Sequence, residues 1–285
     1  MRSLFYYLTS LLRKILPEKI QFELAAGMVR KYHFSYIVKD KLDILSQRAP
    51  EDNFAYIVKS GQSCDAVPLM DALTPAISGK SLCMDIGANI GITTVWMACN
   101  AGKVIAFEPE PANIARFNIN IELNRKENII LEKYAVSDHK GEAVFHITDS
   151  YGHHSLGKVN TSKITGSLKV PLTTIDSYCA ENAIDNIGFI KIDVEGFEEE
   201  VIKGGKSMLS SKKIDIIAFE TSPSILKGLK KETTAVYDIL NECGYVVCNL
   251  NRKPVTRKEI EGLNENADYI AFPEGADPFA NNNNG

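Results

Sequence analysis

The first chemistry suggested by the chain comes from two carboxylates placed around a glycine turn. Asp85-Ile86-Gly87-Ala88-Asn89-Ile90-Gly91 reads as a strand entering a tight turn and then a helix. Glycines let the backbone approach a ligand closely, and a helix N-terminus offers free N–H donors. The spacing argues against a dinucleotide, whose fingerprint is G-x-G-x-x-G, because Asn89 stands at the second glycine position. Asp85, just before the turn, would repel a pyrophosphate and attract a ligand with an ammonium group. About twenty residues after Gly87, Glu108 closes the strand Val104–Phe107, where a carboxylate can accept hydrogen bonds from ribose hydroxyls. An amino-acid end, a ribose and no phosphate describe S-adenosylmethionine. Gly87, Ala88, Asn89, Gly91, Glu108 and Pro109 would line one side of it, and Ala135, Val136 and Ser137, ending the third strand, would flank the adenine.

A methyl donor needs an acceptor and a place for the acceptor's proton. Open α/β sheets bind ligands at the carboxyl ends of their strands, and Lys191-Ile192-Asp193-Val194-Glu195-Gly196 stands at such an end. Period-2 alternation puts Lys191, Asp193 and Glu195 on one side if the strand runs that far. Lys191 could hold Asp193 ionised or bind the acceptor, and Asp193 or Glu195 could act as base or orient the acceptor. The structural alternative is that Glu195 caps the next helix and pairs with Lys191. Glu220 ends the fifth strand and is a further candidate base, or else a cap for the following turn. His153 and His154 lie in a polar loop; histidine titrates near neutrality, and His154 is the catalytic candidate there. Asp176 is read as the N-cap of the helix that carries Tyr178.

These residues need a scaffold, and the chain supplies the pattern of one. From Lys80 onward, short apolar strands alternate with helical stretches, as in a parallel sheet wrapped by helices. Strands are expected at 81–86, 103–107, 129–135, 189–193, 215–220, 245–250 and 268–272. Helices are expected at 92–99, 111–124, 197–209 and 231–243. Two extra strands, 142–148 and 168–172, flank a Gly/Ser/His/Thr-rich loop at about 149–166. Residues 1–78 read as a helical appendage, 79–274 as the main domain with an insertion at about 142–172, and 275–285 as a disordered tail.

Composition narrows the function classes. With 45% apolar and 24% charged residues the chain is not disordered throughout, and no apolar run reaches the ~18–20 residues that cross a bilayer. The net charge of −4 argues against a mainly nucleic-acid-binding protein. That charge is uneven: residues 1–41 carry eight Lys/Arg against three Asp/Glu, leaving 24 against 33 for the remainder. The basic leader also holds Phe5, Tyr6, Tyr7, Phe22, Tyr32, Phe34 and Tyr36, a mix that suits peripheral contact with an anionic membrane as well as a helical appendage. Six cysteines without a C-x-x-C pair, and scattered histidines, point to a reduced, cytoplasmic protein without a structural metal.

The string DIGANIG, followed by AFEP, AVSD, TIDSY and KIDVEGFEEEVIKGG, resembles the FkbM family of S-adenosylmethionine-dependent methyltransferases. The resemblance covers roughly Ser81–Glu220. It implies a seven-stranded Rossmann-like class I methyltransferase sheet with helices on both faces, its last strand inserted antiparallel beside the fifth. It also implies O-methylation of a hydroxyl on a sugar, glycolipid or secondary metabolite. The rivals are a cofactor-binding scaffold without catalysis, a dehydrogenase, and a nucleic-acid methyltransferase. The last is disfavoured because Asp193-Val194-Glu195-Gly196 stands where base methylation needs an Asn/Asp-Pro-Pro-aromatic motif.

Overall fold

Strands that read as unbroken apolar runs must be covered on both faces. In the computed structural model the strands at 82–86, 103–107, 189–192 and 217–221 are so covered, whereas the edge strand at 129–132 leaves Ile130 exposed; the residues described are 34–39, 42–47, 66–124, 126–148, 156–157, 164–276 and 278–279. Near the start, β1 (Phe34–Lys39) and β2 (Leu42–Gln47) form an antiparallel pair, followed by α1 (Ala66–Ile77). The leader read as helices and connectors therefore contains strands in its described part; residues 1–33, with most of the proposed membrane-contacting segment, lie outside the described residues.

The main domain then runs β3 (Leu82–Ile86), α2 (Ile92–Asn100), β4 (Lys103–Phe107), α3 (Pro111–Asn124), β5 (Ile129–Glu132) and β6 (Ala135–Val136). The insertion supplies β7 (Gly141–Thr148) and β8 (Ile164–Thr173). The chain returns through α4 (Ile175–Glu181), β9 (Phe189–Ile192), α5 (Glu198–Lys203), α6 (Lys206–Ser210), β10 (Ile217–Thr221), α7 (Pro223–Leu229), α8 (Ala235–Glu242), β11 (Tyr245–Asn249), α9 (Arg257–Glu261) and β12 (Ala267–Pro273).

Seven strands make one sheet in the order β11-β12-β10-β9-β3-β4-β5. β12, last in the chain, lies antiparallel between β10 and β11; the β9, β3, β4 and β5 pairings are parallel. β3 has β4 on one side and β9 on the other, so the strand order reverses there and leaves a crevice at the carboxyl ends. Alternate residues feed two cores. Cys83, Val104 and Phe189 pack with α1 and α2, whereas Met84, Ile105 and Ile190 pack with α4, α5, α6 and α8. Among the described residues, no helix is long and apolar enough to cross a membrane.

Several boundaries differ from expectation for identifiable reasons. The third strand does not run to Ala135. It stops at Glu132, and Ala135–Val136 pairs with β8 in a separate three-stranded sheet with β7. The helix expected over 197–209 is broken at Gly204–Gly205, where a β-carbon on Gly204 would overlap the Ser137 carbonyl oxygen and one on Gly205 would crowd Ile175. Asp176 is not the N-cap of its own helix. Thr174 is, its hydroxyl accepting from the Ser177 N–H at 2.9 Å, while the Asp176 carboxylate accepts from the Ser207 and Met208 N–H groups at 2.8 and 3.0 Å and so caps α6. In the stretch expected to fray, Phe279 is only 6% exposed, edge-on to Phe272 and beneath the Arg252 guanidinium.

The junction at Gly204 yields a stability test. Gly204→Ala should destabilise the fold by roughly 1–3 kcal/mol, because the added methyl must push the β6–α4 backbone away. Thermal unfolding read by circular dichroism would show a lowered midpoint, and an unchanged midpoint would contradict the close approach.

Candidate active site

The turn after β3 is shaped by close packing. Gly87, Asn89 and Gly91 all have positive φ (83°, 51° and 86°). A β-carbon on Gly87 would overlap the Asp193 carbonyl oxygen, and one on Gly91 would lie 2.8 Å from the Phe117 ring. The glycines therefore let the turn nest against β9 and α3. The Gly87 and Ala88 N–H groups donate to the Phe107 carbonyl at 3.1 and 3.0 Å, and the Asn120 amide donates to the Ile90 carbonyl at 2.7 Å.

Asp85 is fully buried. Its Oδ2 accepts from the Thr93 and Thr94 hydroxyls at 2.8 and 2.5 Å, while Oδ1 has no hydrogen-bond partner among the described residues. Glu108, 4% exposed, accepts from the Asn89 N–H (2.9 Å), the Glu110 N–H (2.9 Å) and the Asn113 amide (3.3 Å). A carboxylate offers about four acceptor sites, so about one remains for a further donor. Burial pushes the Glu108 carboxyl up to about 7, against the pull of those three donors. Glu110 in turn holds the Ala112 and Asn113 N–H groups at the start of α3. The carbonyl oxygens of the Asn89 and Asn113 side chains are buried without partners among the described residues. Unused acceptors on Asp85, Asn89, Glu108 and Asn113 fit a ligand rich in donors, as the ammonium and ribose hydroxyls of S-adenosylmethionine are. Pro109 follows Glu108 directly.

The second half of the site is built from the ends of β9 and β10. Lys191 stands in register with Asp85 on β3 and Ala218 on β10, only 8% exposed, and donates to Asp193 Oδ2 at 2.9 Å. Burial opposes its charge, but Asp193, Asp85 and Glu220 outweigh it and hold the ammonium above the usual lysine range. The Asp193 side chain remains 36% exposed. Glu195 adopts φ 57° in the turn that follows. Burial first, then repulsion by Asp193, Glu220 and Glu198, pushes its carboxyl up to about 10. The capping role weighed for Glu195 belongs to Glu198, whose Oε1 accepts from the Val194 and Gly196 N–H groups at 3.0 and 3.2 Å. Glu220 accepts from the Asn266 amide at 3.0 Å, faces Asp268 across the β10–β12 ladder, and is pushed up to about 7 by burial and then by Asp193 and Asp268.

Lys191, Asp193, Glu195 and Glu220 thus form one electrostatic cluster, which Asp85, in register with Lys191 on β3, adjoins. Ala135 and Val136 are buried in β6, and the Ser137 N–H donates to the Thr173 carbonyl at 2.8 Å, which ties this stretch to the insertion. His154 and its neighbour His153 lie outside the described residues. Sequence reasoning missed Thr93, Thr94, Asn113 and Glu198. The available signal was polar residues in the first turn of a helix, where N–H donors are free.

Residues 85–247 match the family described as the Methyltransferase FkbM domain. Among characterised proteins, the chain is 27% identical over 173 residues to 2-O-methyltransferase NoeI of Sinorhizobium fredii, covering 55% of this chain and 70% of that one. It is 30% identical over 129 residues to hexuronic acid methyltransferase AglP of Haloferax volcanii, covering 45% of this chain and 51% of that one. Among solved structures, the SAM-dependent methyltransferase of Agrobacterium tumefaciens aligns at TM-score 0.49 and 9% identity, covering 85% of this chain and 71% of that chain.

The carboxyls predict a pH dependence. Glu108, Glu198 and Glu220, each raised to about 7, and Glu195, raised to about 10, bind protons more tightly folded than unfolded. Their contribution to stability is complete below the ordinary value of 4.5 and is lost as pH rises through those values. The unfolding midpoint of the ligand-free protein should therefore fall between pH 5 and pH 8, and Glu220→Gln should flatten the decline. A midpoint that rises over this range would refute the raised values.

Proposed function

The chain belongs to the FkbM methyltransferase family, and on that premise we propose that it methylates a sugar hydroxyl, with Asp193 taking the acceptor's proton. The relatives, named for 2-O-methylation and for hexuronic acid methylation, support an oxygen on a sugar as the acceptor. The observation that carries the assignment to Asp193 is its pairing with Lys191. Lys191 engages Oδ2, and the carboxylate, about a third exposed, would turn Oδ1 toward the acceptor.

Glu195 takes a different role. Burial and the neighbouring carboxylates favour its protonated form, in which it would donate to and orient an acceptor oxygen. Glu220, near 7, completes the wall of the crevice. Opposite them, Glu108 and Asn113 would receive the ribose hydroxyls, and Asp85 Oδ1 with Asn89 the amino-acid end. When bound, S-adenosylmethionine supplies an electrophilic methyl group on a sulfonium. The chain's own part is to orient the acceptor oxygen, worth several kcal/mol in favourable cases, and to remove its proton. A sugar hydroxyl is a very weak acid, so a placed base contributes typically ~10²–10⁴-fold.

Asp193→Asn should therefore lower turnover by roughly 10²-fold or more, while affinity for S-adenosylhomocysteine, measured by calorimetry, changes little. Turnover is followed as label transferred from S-adenosylmethionine to sugar nucleotides, uronic acids and extracted glycolipids. Turnover at the wild-type rate would remove Asp193 from the mechanism. Glu108→Ala should behave in the opposite way, with the loss falling on cofactor affinity, roughly tenfold or more for a hydrogen bond to a charged group. Unchanged affinity would sink the ribose assignment.

A further inference from the structure

The turn that carries Glu195 is held in a conformation it would not adopt alone. Glu195 and Gly196 are both left-handed (φ 57° and 91°), a region that disfavours a residue with a β-carbon such as Glu195. A β-carbon on Gly196 would lie 2.7 Å from Leu229 Cδ1 and 2.8 Å from Ile225 Cγ2, so α7 presses directly on the turn. The Glu198 carboxylate holds its N–H groups from one side. From the other side comes Lys231, which lies just past the end of α7 and outside every motif noted above.

The lysine's own backbone is fixed. Lys230 takes the left-handed cap conformation (φ 59°), and the Lys231 N–H donates to the Leu226 carbonyl at 2.9 Å. From there its ammonium donates to the Gly196 carbonyl at 2.9 Å and to both Glu200 oxygens at 2.6 Å, and it sits 3.8 Å from the centre of the Phe197 ring. The side chain is 17% exposed, so water competes little for these contacts. One group thus joins α5, α7 and the turn between β9 and α5. The described fragment of the insertion arrives at the same place, for a β-carbon on Gly157 would lie 2.7 Å from Leu229 and 2.8 Å from Phe197.

We propose that Lys231 is a positioning residue for methyl transfer: by clamping Gly196, Phe197 and Glu200 it fixes the Glu195 turn against which the acceptor is aligned. This rests on the reading of Asp193 and Glu195 as the acceptor-facing groups. Lys231 touches neither cofactor nor acceptor in this scheme, and acts through the geometry of the turn.

The test compares the full chain with Lys231→Met, Lys231→Arg and Glu200→Gln. Amide hydrogen exchange reads the turn without any acceptor. In Lys231→Met, exchange at Val194 and Gly196 should quicken by roughly tenfold or more, the equivalent of one lost charge-assisted hydrogen bond, while Ile190 and Ile192 in β9 keep their protection. Glu200→Gln should give a smaller change at the same amides, and Lys231→Arg should restore most of the protection. S-adenosylhomocysteine affinity should stay within about twofold, whereas turnover falls roughly tenfold in Lys231→Met and recovers in Lys231→Arg. Wild-type protection at Val194 and Gly196 in Lys231→Met and Glu200→Gln would overturn the proposal. So would acceleration spread evenly over the sheet in both variants, or an arginine variant no better than the methionine one. Failure of the wild type to methylate any sugar would overturn the acceptor reading instead, and the exchange data would still decide the clamp.

Discussion

A buried ammonium at the centre of the sheet is the constraint around which the site is arranged. Lys191 lies on β9 between Asp85 of β3 and Ala218 of β10, and a charge so enclosed must be paired and hydrogen-bonded. Asp193 supplies the pair, with Asp85 and Glu220 adding to the negative field. The geometry of the cofactor turn follows from the same strand. The Asp193 carbonyl lies where a side chain on Gly87 would have to go, so the backbone that carries Asp193 also dictates glycine in the turn after β3.

The acids around this lysine do not share one environment. Burial and mutual repulsion raise the Glu195 carboxyl, whereas Asp193 accepts a hydrogen bond from the Lys191 ammonium, so two neighbouring carboxyls of one crevice sit in unlike surroundings. Fixed donors and acceptors of this kind cost no reorganisation when charge shifts during reaction. A positively charged methyl donor also suits a crevice whose described charges are mostly negative.

Much of this was legible in the residues. The alternation of apolar strands and helices marked the sheet, and the strings around Gly87 and Asp193 marked its two central ends, because both features depend on residues close together in the chain. What stayed hidden depends on partners far apart. Asp176 looked like a cap for its own helix, and only the packing of α4 on α6 shows that it caps the other one. Glu195 and Glu198 are equally acidic on paper; the left-handed turn decides which one reaches the Val194 and Gly196 N–H groups. The third strand ends early because Ala135 finds a partner in Leu172, a pairing that no local pattern encodes. Lys231 meets Gly196 across 35 positions of sequence.

The placement of β12 bears on how the molecule is made. β11 has no neighbour in the large sheet except β12, and β10 reaches β11 only through it. During synthesis β10 and β11 emerge from the ribosome before the strand that joins them, so until Ala267–Pro273 arrives β10 is an open edge and β11 has only its bridge to Pro254. Asn266, which donates to Glu220, emerges at the same late moment. The domain can begin to assemble from β3, β4 and β9, yet the β10–β12 side of the crevice is finished late, and a nascent chain passes through a stage with an unprotected strand edge of the kind that invites aggregation.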